Sequence, residues 1–358
     1  MTDPFSPMEL PRGGAMKNRF MLAPLTNMQS NPDGTLSDEE IHWLVMRAQG
    51  GFALTMTAAA HVQQQGRGFH GQLGIWSDEH VPGLTRLARD IHARGSLCAV
   101  QLHHAGRRSP ADLIGTMPVC PWDDKETGAR ALTTAEVEQL IEDFILAGLR
   151  AEAAGFDGIE IHGAHGYIVG QFLDAENNHR VDRYGGSFAN RRGVLDAIID
   201  GLRDRAGPDF QIGVRISPER FGIRIQEALE LAESLMASGK LDYLDMSLWN
   251  CVKVPEDPDF ASKPLIDWFA AIPRGNTRLG VAGKLITADD VQRALATGVD
   301  FVLLGRAAIL HHNFPHLMQA NPDFASVEPP VSRDYLRVEG LSESFVDYMA
   351  GWKGFVSN

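Results

Sequence analysis

Residues 133–167 read TTAEVEQLIEDFILAGLRAEAAGFDGIEIHGAHGY, and this stretch decides how the rest of the chain is read. Val137, Leu140, Ile141, Phe144, Leu149 and Ala153 recur at three- and four-residue steps, which predicts an amphipathic helix over Ala135–Ala154. Thr133 and Glu136 have the spacing of a capping box. Gly155 stands where a left-handed residue ends a helix, and the apolar run Gly158–Ile161 follows as a strand. The strand runs into His162-Gly163-Ala164-His165-Gly166-Tyr167, a cluster of polar groups among glycines.

The same helix-to-strand unit repeats outward in both directions. Upstream, strands are expected at Phe20–Ala23, Phe52–Thr57 and Leu97–Leu102, with helices at Glu39–Ala48 and Val81–Arg94. Downstream come helix Asn190–Asp204 and strand Ile212–Ile216, then helix Gln226–Ser238 and strand Tyr243–Ser247. Strand Arg278–Val281, helix Ala288–Ala296 behind a Thr287/Asp290 box, and strand Phe301–Leu304 close the series. The eight strands read as continuous apolar runs, as parallel strands covered on both faces require. A doubly wound open sheet shares this grammar. The expectation is an α/β protein, a single (β/α)8 TIM barrel over about 18–315, with long βα loops and a C-terminal extension at 316–358. No linker divides the 358 residues, so one domain is expected over 1–358.

Composition narrows the function classes. The 33 Lys+Arg against 46 Asp+Glu give a net charge of −13, and no basic run is dense enough to hold nucleic acid. Cys98, Cys120 and Cys251 are too few and scattered for a disulfide framework, a zinc site or an iron–sulfur cluster. Met1–Phe20 has no apolar core of signal-peptide length, and no run approaches the ~18 apolar residues of a membrane span. A cytoplasmic protein with no nucleic-acid or membrane partner is expected.

Polar residues and glycines gather where the strands stop, and a barrel brings such ends to one rim. Gly283-Lys284 and Gly305-Arg306 follow the seventh and eighth strands, where barrels often bind phosphate through backbone N–H groups and cations. Strand-ending glycines beside solvated cations are the plainer alternative. In the 162–167 cluster, two imidazoles could hold one carbonyl oxygen, with Tyr167 as a proton donor. A metal site and purely structural use are the competing readings, and no carboxylate or third histidine has ligand spacing there.

With these motifs in view, the chain resembles the Old Yellow Enzyme family of FMN-dependent ene-reductases. The similarity runs from about Asn18 to about Pro315 and is strongest over Asn18–Thr26, Gly66–Gly68, Gln101–Arg107, Gly155–Arg191 and Val281–Arg306. The most specific part is 162–167 with Gln171-Phe-Leu, Asn178-His-Arg180 and Arg183-Tyr-Gly-Gly-Ser187. The resemblance implies FMN as cofactor, with Pro24, Thr26 and Ala59 against the isoalloxazine edge and Gln101 on its pyrimidine ring. It puts Arg215 by N1 and the C2 carbonyl, and Gly283, Gly305 and Arg306, with Lys284 beside them, on the phosphate. His162 and His165 would bind the substrate carbonyl oxygen, Met28 would shape the substrate site, and Tyr167 would donate the proton. His103, Trp122 and Trp249 are candidates for the mouth.

The implied reaction is NAD(P)H-driven reduction of the C=C bond of an α,β-unsaturated carbonyl compound. NADH or NADPH reduces the flavin, N5 passes hydride to the β-carbon, and Tyr167 protonates the α-carbon. Thr26 stands where other branches carry a cysteine, so no thiol sets the flavin potential. Met28 replaces an aromatic common in some branches. The alternatives are the barrel of a 2,4-dienoyl-CoA reductase type acting on another activated alkene, a flavin-binding barrel without turnover, and a flavin-free phosphate-binding barrel. Three scattered cysteines cannot furnish the cysteine cluster of the multidomain dienoyl-CoA relatives. A homo-oligomer is a family expectation only.

Overall fold

A computed structural model describes residues 2–357. Eight parallel strands close on themselves: β1 (Phe20–Leu22), β2 (Leu54–His61), β3 (Leu97–His103), β4 (Gly158–Gly163), β5 (Gln211–Ile216), β6 (Tyr243–Ser247), β7 (Arg278–Ala282) and β8 (Phe301–Leu304). Around the barrel the order is β1-β8-β7-β6-β5-β4-β3-β2. The helices α1 (Asp38–Gln49), α2 (Val81–His92), α3 (Thr134–Ala153), α4 (Gly193–Arg205), α5 (Ile225–Ala237), α6 (Leu265–Ala270) and α7 (Ala288–Ala296) surround it. The (β/α)8 barrel expected from the repeat is the fold.

Local chemistry explains the element boundaries. Both expected capping boxes form: Thr133 accepts from Glu136 N–H while Glu136 reaches back, and Thr287 pairs with Asp290 in the same way. β2 runs on to His61 beyond the expected Thr57, because its pairing with β3 shifts register after Met56 and resumes at Ala59↔Gln101 through His61↔His103. The alanines at 58–60 have weak strand propensity and hid this extension. The helix expected from Asn190 is split: Ser187 caps a single turn, Phe188–Arg191, before α4 begins at Gly193. α6 was not legible, being six residues long behind Pro264.

Two apolar cores result. The larger lies between the strands and the helices, and includes Leu102, Phe144, Ile161, Val214, Leu244 and Val302. The smaller fills the lower half of the barrel lumen with Met21, Leu54, Met56, Tyr243, Phe301 and Leu303. Met8, Leu10 and Met16 of the N-terminal segment close it from below. Strand glycines give the aromatics their room: a Cβ on Gly213 would lie 2.1 Å from the Tyr243 ring, and one on Gly280 2.1 Å from Phe301. The C-terminal extension packs outside the barrel, where Phe345 meets Trp43 of α1 at 5.4 Å between ring centroids.

Candidate active site

Parallel register decides which side chains share the upper half of the lumen. Gln101 lies opposite Glu160, His162 opposite Arg215, and Arg215 opposite Asp245. Since alternate residues face inward, Gln101 and His103 of β3, Glu160 and His162 of β4, Arg215 of β5, and Asp245 and Ser247 of β6 all enter one space.

The rings converge above this layer. Centroid separations are 5.0 Å for His162–His165, 5.1 Å for His162–Tyr167 and 6.5 Å for His165–Tyr167. His165 occupies a left-handed conformation, φ 60°, and Gly166 another at 69°, so the chain doubles back directly after β4. Gln171 fixes that bend by donating to Gly166 O at 2.8 Å and accepting from Arg107 N–H at 3.2 Å. Arg108 lies over the Tyr167 ring at 4.6 Å and donates to His165 O at 2.6 Å.

Burial keeps the imidazoles neutral. His162 falls well below its ordinary pKa, first through burial and then through His165, His103 and the cations Arg215 and Arg108. His165 is pushed down to about 3 by burial, Arg215 and Arg108. The bonding pattern assigns their protons. Ala164 N–H points at His162 Nδ1 (3.4 Å), so His162 carries hydrogen on Nε2 and donates to His165 Nδ1 at 3.3 Å. His165 Nε2–H then donates to Ser247 Oγ at 2.8 Å. Two converging donors were expected; they are present, but turned on each other and on Ser247.

The other expected site residues distribute around the rim. Pro24 and Thr26 follow β1 half-buried, and Ala59 sits half-buried where the β2 pairing resumes. Gln101 is buried and donates from Nε2 to Glu160 Oε1 at 2.7 Å. Arg215 is 5% exposed and its side chain makes no hydrogen bond among the described residues; its Nε lies 2.9 Å from Asp245 Oδ2 without hydrogen-bond alignment. Gly283 has φ 156°, and a Cβ there would lie 2.2 Å from Leu248 O. Gly305 is freer, its nearest neighbour being Leu25 at 3.4 Å. Lys284 and Arg306, at the ends of the adjacent strands β7 and β8, are exposed. Met28 is half-buried, takes φ 55° and lines a surface groove with Pro32, Arg67, His70 and Leu113.

Of the mouth candidates, His103 alone touches the rings, 4.3 Å from Tyr167 and 5.6 Å from His162. Trp249 is mostly exposed with Arg220 over its ring, and Trp122 sits under Arg107. Gln72, which sequence reasoning passed over, orients His103. Gly68 N–H donates to Gln72 Oε1, so the amide nitrogen faces Ala59 O (2.9 Å) and His103 Nδ1 (3.0 Å). Glu160 and Asp245 were also missed, although an acid inside a continuous apolar strand is itself a signal of a polar lumen. The motif residues past 171 are scaffold. Asn178 donates to Phe172 O and Tyr184 O, and Arg180 ties Pro121 O and Leu132 O to Asp182.

Asp245 supplies the counter-charge, but a buried guanidinium that makes no aligned hydrogen bond still has N–H groups to offer a further acceptor. Arg215 enters the upper lumen beside His162, and Lys284 and Arg306 stand exposed beyond β7 and β8 with no carboxylate partner among the described residues, so the donor set fits a flavin with its phosphate. Comparisons with known proteins agree. Residues 3–316 match the family model for NADH:flavin oxidoreductase / NADH oxidase. This chain belongs to that family. It is 34% identical over 321 residues to the probable NADH-dependent flavin oxidoreductase YqiG of Bacillus subtilis, covering 87% of this chain and 86% of that one. It is 33% identical over 307 residues to an NADPH dehydrogenase of Listeria innocua, covering 84% and 89% respectively. Its fold superposes on an Old Yellow Enzyme homologue from Zymomonas mobilis with a TM-score of 0.80 and 26% identity, covering 97% of this chain and 99% of that one. The Old Yellow Enzyme relative described here is therefore an NAD(P)H-dependent flavin oxidoreductase with FMN as cofactor. Among the described residues no helix is long and apolar enough to cross a membrane.

Proposed function

We propose that the enzyme is an ene-reductase that reduces the C=C bond of α,β-unsaturated carbonyl compounds at the expense of NAD(P)H. The observation that carries this reading is the convergence of His162, His165 and Tyr167 over the buried Arg215. FMN, when bound, would supply the hydride chemistry that links oxidation of NAD(P)H to reduction of the alkene.

The side chains divide the remaining work. Arg306 and Lys284 would hold the phosphate, with Gly283 and Gly305 giving the backbone close access. Gln101 has given its N–H to Glu160, which leaves its carbonyl oxygen for an N–H of the pyrimidine ring. Arg215 would offer its guanidinium to the N1 and C2 side, where a fixed cation would favour the reduced state. Pro24, Thr26 and Ala59 border the ring edge.

The substrate carbonyl oxygen takes over the two imidazole N–H groups from His165 Nδ1 and Ser247 Oγ. Neutral donors suit this task, since each stabilises negative charge growing on oxygen without surrendering its proton. Tyr167 protonates the α-carbon, and Met28 borders the substrate side. All three cysteines are buried and free, which supports the reducing cytoplasm as the working compartment.

Anaerobic stopped flow tests the proposal. NADPH-reduced enzyme mixed with a panel of cyclic enones is expected to reoxidise. Flavin that remains reduced with every enone tried would overturn the ene-reductase reading and leave the flavin oxidoreductase standing.

A further inference from the structure

Beneath the rings lies a polar layer to which no role has yet been assigned. Glu160, Tyr243 and Asp245 are each 0% exposed. Gln101 satisfies one oxygen of Glu160, but Glu160 Oε2, both oxygens of Asp245, the Tyr243 hydroxyl and Arg215 Nε have no hydrogen-bond partner among the described residues. These groups come from three neighbouring strands, and Gly213 between them adds no side chain. Two ionised carboxylates here would leave Glu160 Oε2 and Asp245 Oδ1 bare, with a single cation met by Asp245 Oδ2 alone. That is a large desolvation cost which one shared hydrogen removes.

We propose that Glu160 and Asp245 hold one proton between them and act as a positioning pair, seating Arg215 for the N1 and C2 side of the flavin and making the flavin potential depend on that buried proton. Two carboxylates in one enclosure cannot readily both ionise. Burial raises both, the charge of Asp245 raises Glu160 further, and Arg215 opposes both shifts. Glu160 is therefore the acid and Asp245 the counter-ion of Arg215. In this state the trio is electrically neutral. Loss of the shared proton leaves the trio with a net negative charge, which would disfavour adding electrons to a flavin held by Arg215.

The surroundings leave this pair as the titrating element. From β3 come the neutral Gln101 and His103, and from β4 His162, with His165 beyond it. All three histidines are held neutral by burial. β6 contributes Tyr243, whose pKa is pushed far up by burial and by the two acids. Asp242 lies at the opposite end of β6, bound to Arg12 and Arg203. β7, β8, β1 and β2 present Gly280, Phe301, Met21 and Met56, none of which titrates.

Two measurements on the holoenzyme test the pair, and the second also works on protein stripped of flavin. In spectroelectrochemistry, the wild-type potential is expected to fall with an extra downward break in alkaline buffer, where the shared proton leaves. Glu160→Gln keeps a neutral donor in place and is expected to lose that break. Asp245→Asn removes the counter-charge of Arg215 and is expected to raise the potential. In infrared spectra, a carboxylic-acid C=O band that shifts in D2O is expected in the wild type near neutral pH, and is expected to vanish in alkaline buffer. Glu160→Gln with FMN bound and an unchanged pH profile would overturn the proposal, as would a wild-type spectrum without a protonated-carboxyl band. The consequence for the flavin rests on the proposed place of Arg215. A carboxyl band present in flavin-free protein, with a potential indifferent to both variants, would overturn that placement while the shared proton stands.

Discussion

The lower and upper halves of the barrel lumen are built by the same strands and differ in what they spend. Below, Met21, Leu54, Met56, Tyr243, Phe301 and Leu303 interlock, and glycines on neighbouring strands admit the aromatic rings. One layer up, the inward positions carry Gln101, Glu160, His162, Arg215, Asp245 and Ser247, several with unpaired buried atoms. A fold maximising its own stability would continue the apolar filling to the rim. The division between halves separates residues that hold the barrel shut from residues that hold a cofactor and a substrate, and substitutions should respect it.

Tyr167→Phe should expose the division most sharply. Removing the proton donor should slow alkene reduction by about 10²–10⁴-fold while leaving reduction of the flavin by NAD(P)H within a few fold. Single-turnover kinetics of each half-reaction separates the two. Equal slowing of both halves would assign the tyrosine to ring packing against His103 and His162 instead.

The lower half should answer in stability. Phe301 packs edge-on to Tyr243 at 5.8 Å and fills the space that Gly280 leaves open. Phe301→Ala should cost about 3–5 kcal/mol of unfolding free energy while the flavin absorption of the surviving folded protein is unchanged. Urea titration followed by fluorescence reads the first and the visible spectrum the second. A loss of flavin at preserved stability would erase the boundary between the halves.

Much of this partition was legible in the residues, for a physical reason. Capping boxes, helix periodicity and apolar strand runs are local, so the barrel and the ends of its elements could be read directly from spacing. His162, His165 and Tyr167 stood out because they crowd one bend. The carboxyl pair did not, since Glu160 and Asp245 are 85 positions apart in sequence (245 − 160) and enter one lumen only through parallel register. Gln72 was hidden in the same way. Its role depends on a loop folding back onto Ala59 and His103. Asn178 and Arg180, quoted for the resemblance and given no role in it, are braces, because a long loop with many backbone groups must be tied down somewhere.

Acid should weaken the protein through its upper half. His61, His103, His104, His162 and His165 all have depressed folded pKa values, with burial the leading cause; His61 is held at about 4, and His104 and His165 at about 3. The unfolded chain binds protons at these rings near pH 6.5 and the folded chain does not. Stability is therefore intact above about 6.5, and each ring withdraws roughly 1.4 kcal/mol per pH unit below it. Glu160 and Asp245 oppose this, because their raised values make the folded state the better proton binder above the ordinary carboxylate range. Five rings against the single proton held by that pair give a net loss on acidification. Denaturant titrations between pH 7.5 and 5.5 should show it, and stability that is flat or rising below pH 6.5 would place water around these rings.

The smallest effect should come from the edge of the pocket. Ser247 Oγ accepts from His165 Nε2–H at 2.8 Å, and Ser247 O accepts from the Ser217 hydroxyl at 3.3 Å. Ser247→Ala removes only the first of these bonds, whose net value is about 0.5–1.5 kcal/mol. The imidazole N–H that a carbonyl oxygen must capture is then no longer engaged, so the substrate displaces one bond fewer. Two consequences oppose each other: KM for the enone should fall because the competing acceptor is gone, and kcat should fall because the ring is less well aimed. The split between the two constants, each changing by only a few fold, distinguishes an orienting serine from a chemical one. A hundredfold loss in kcat would move Ser247 into the set that touches the reacting atoms.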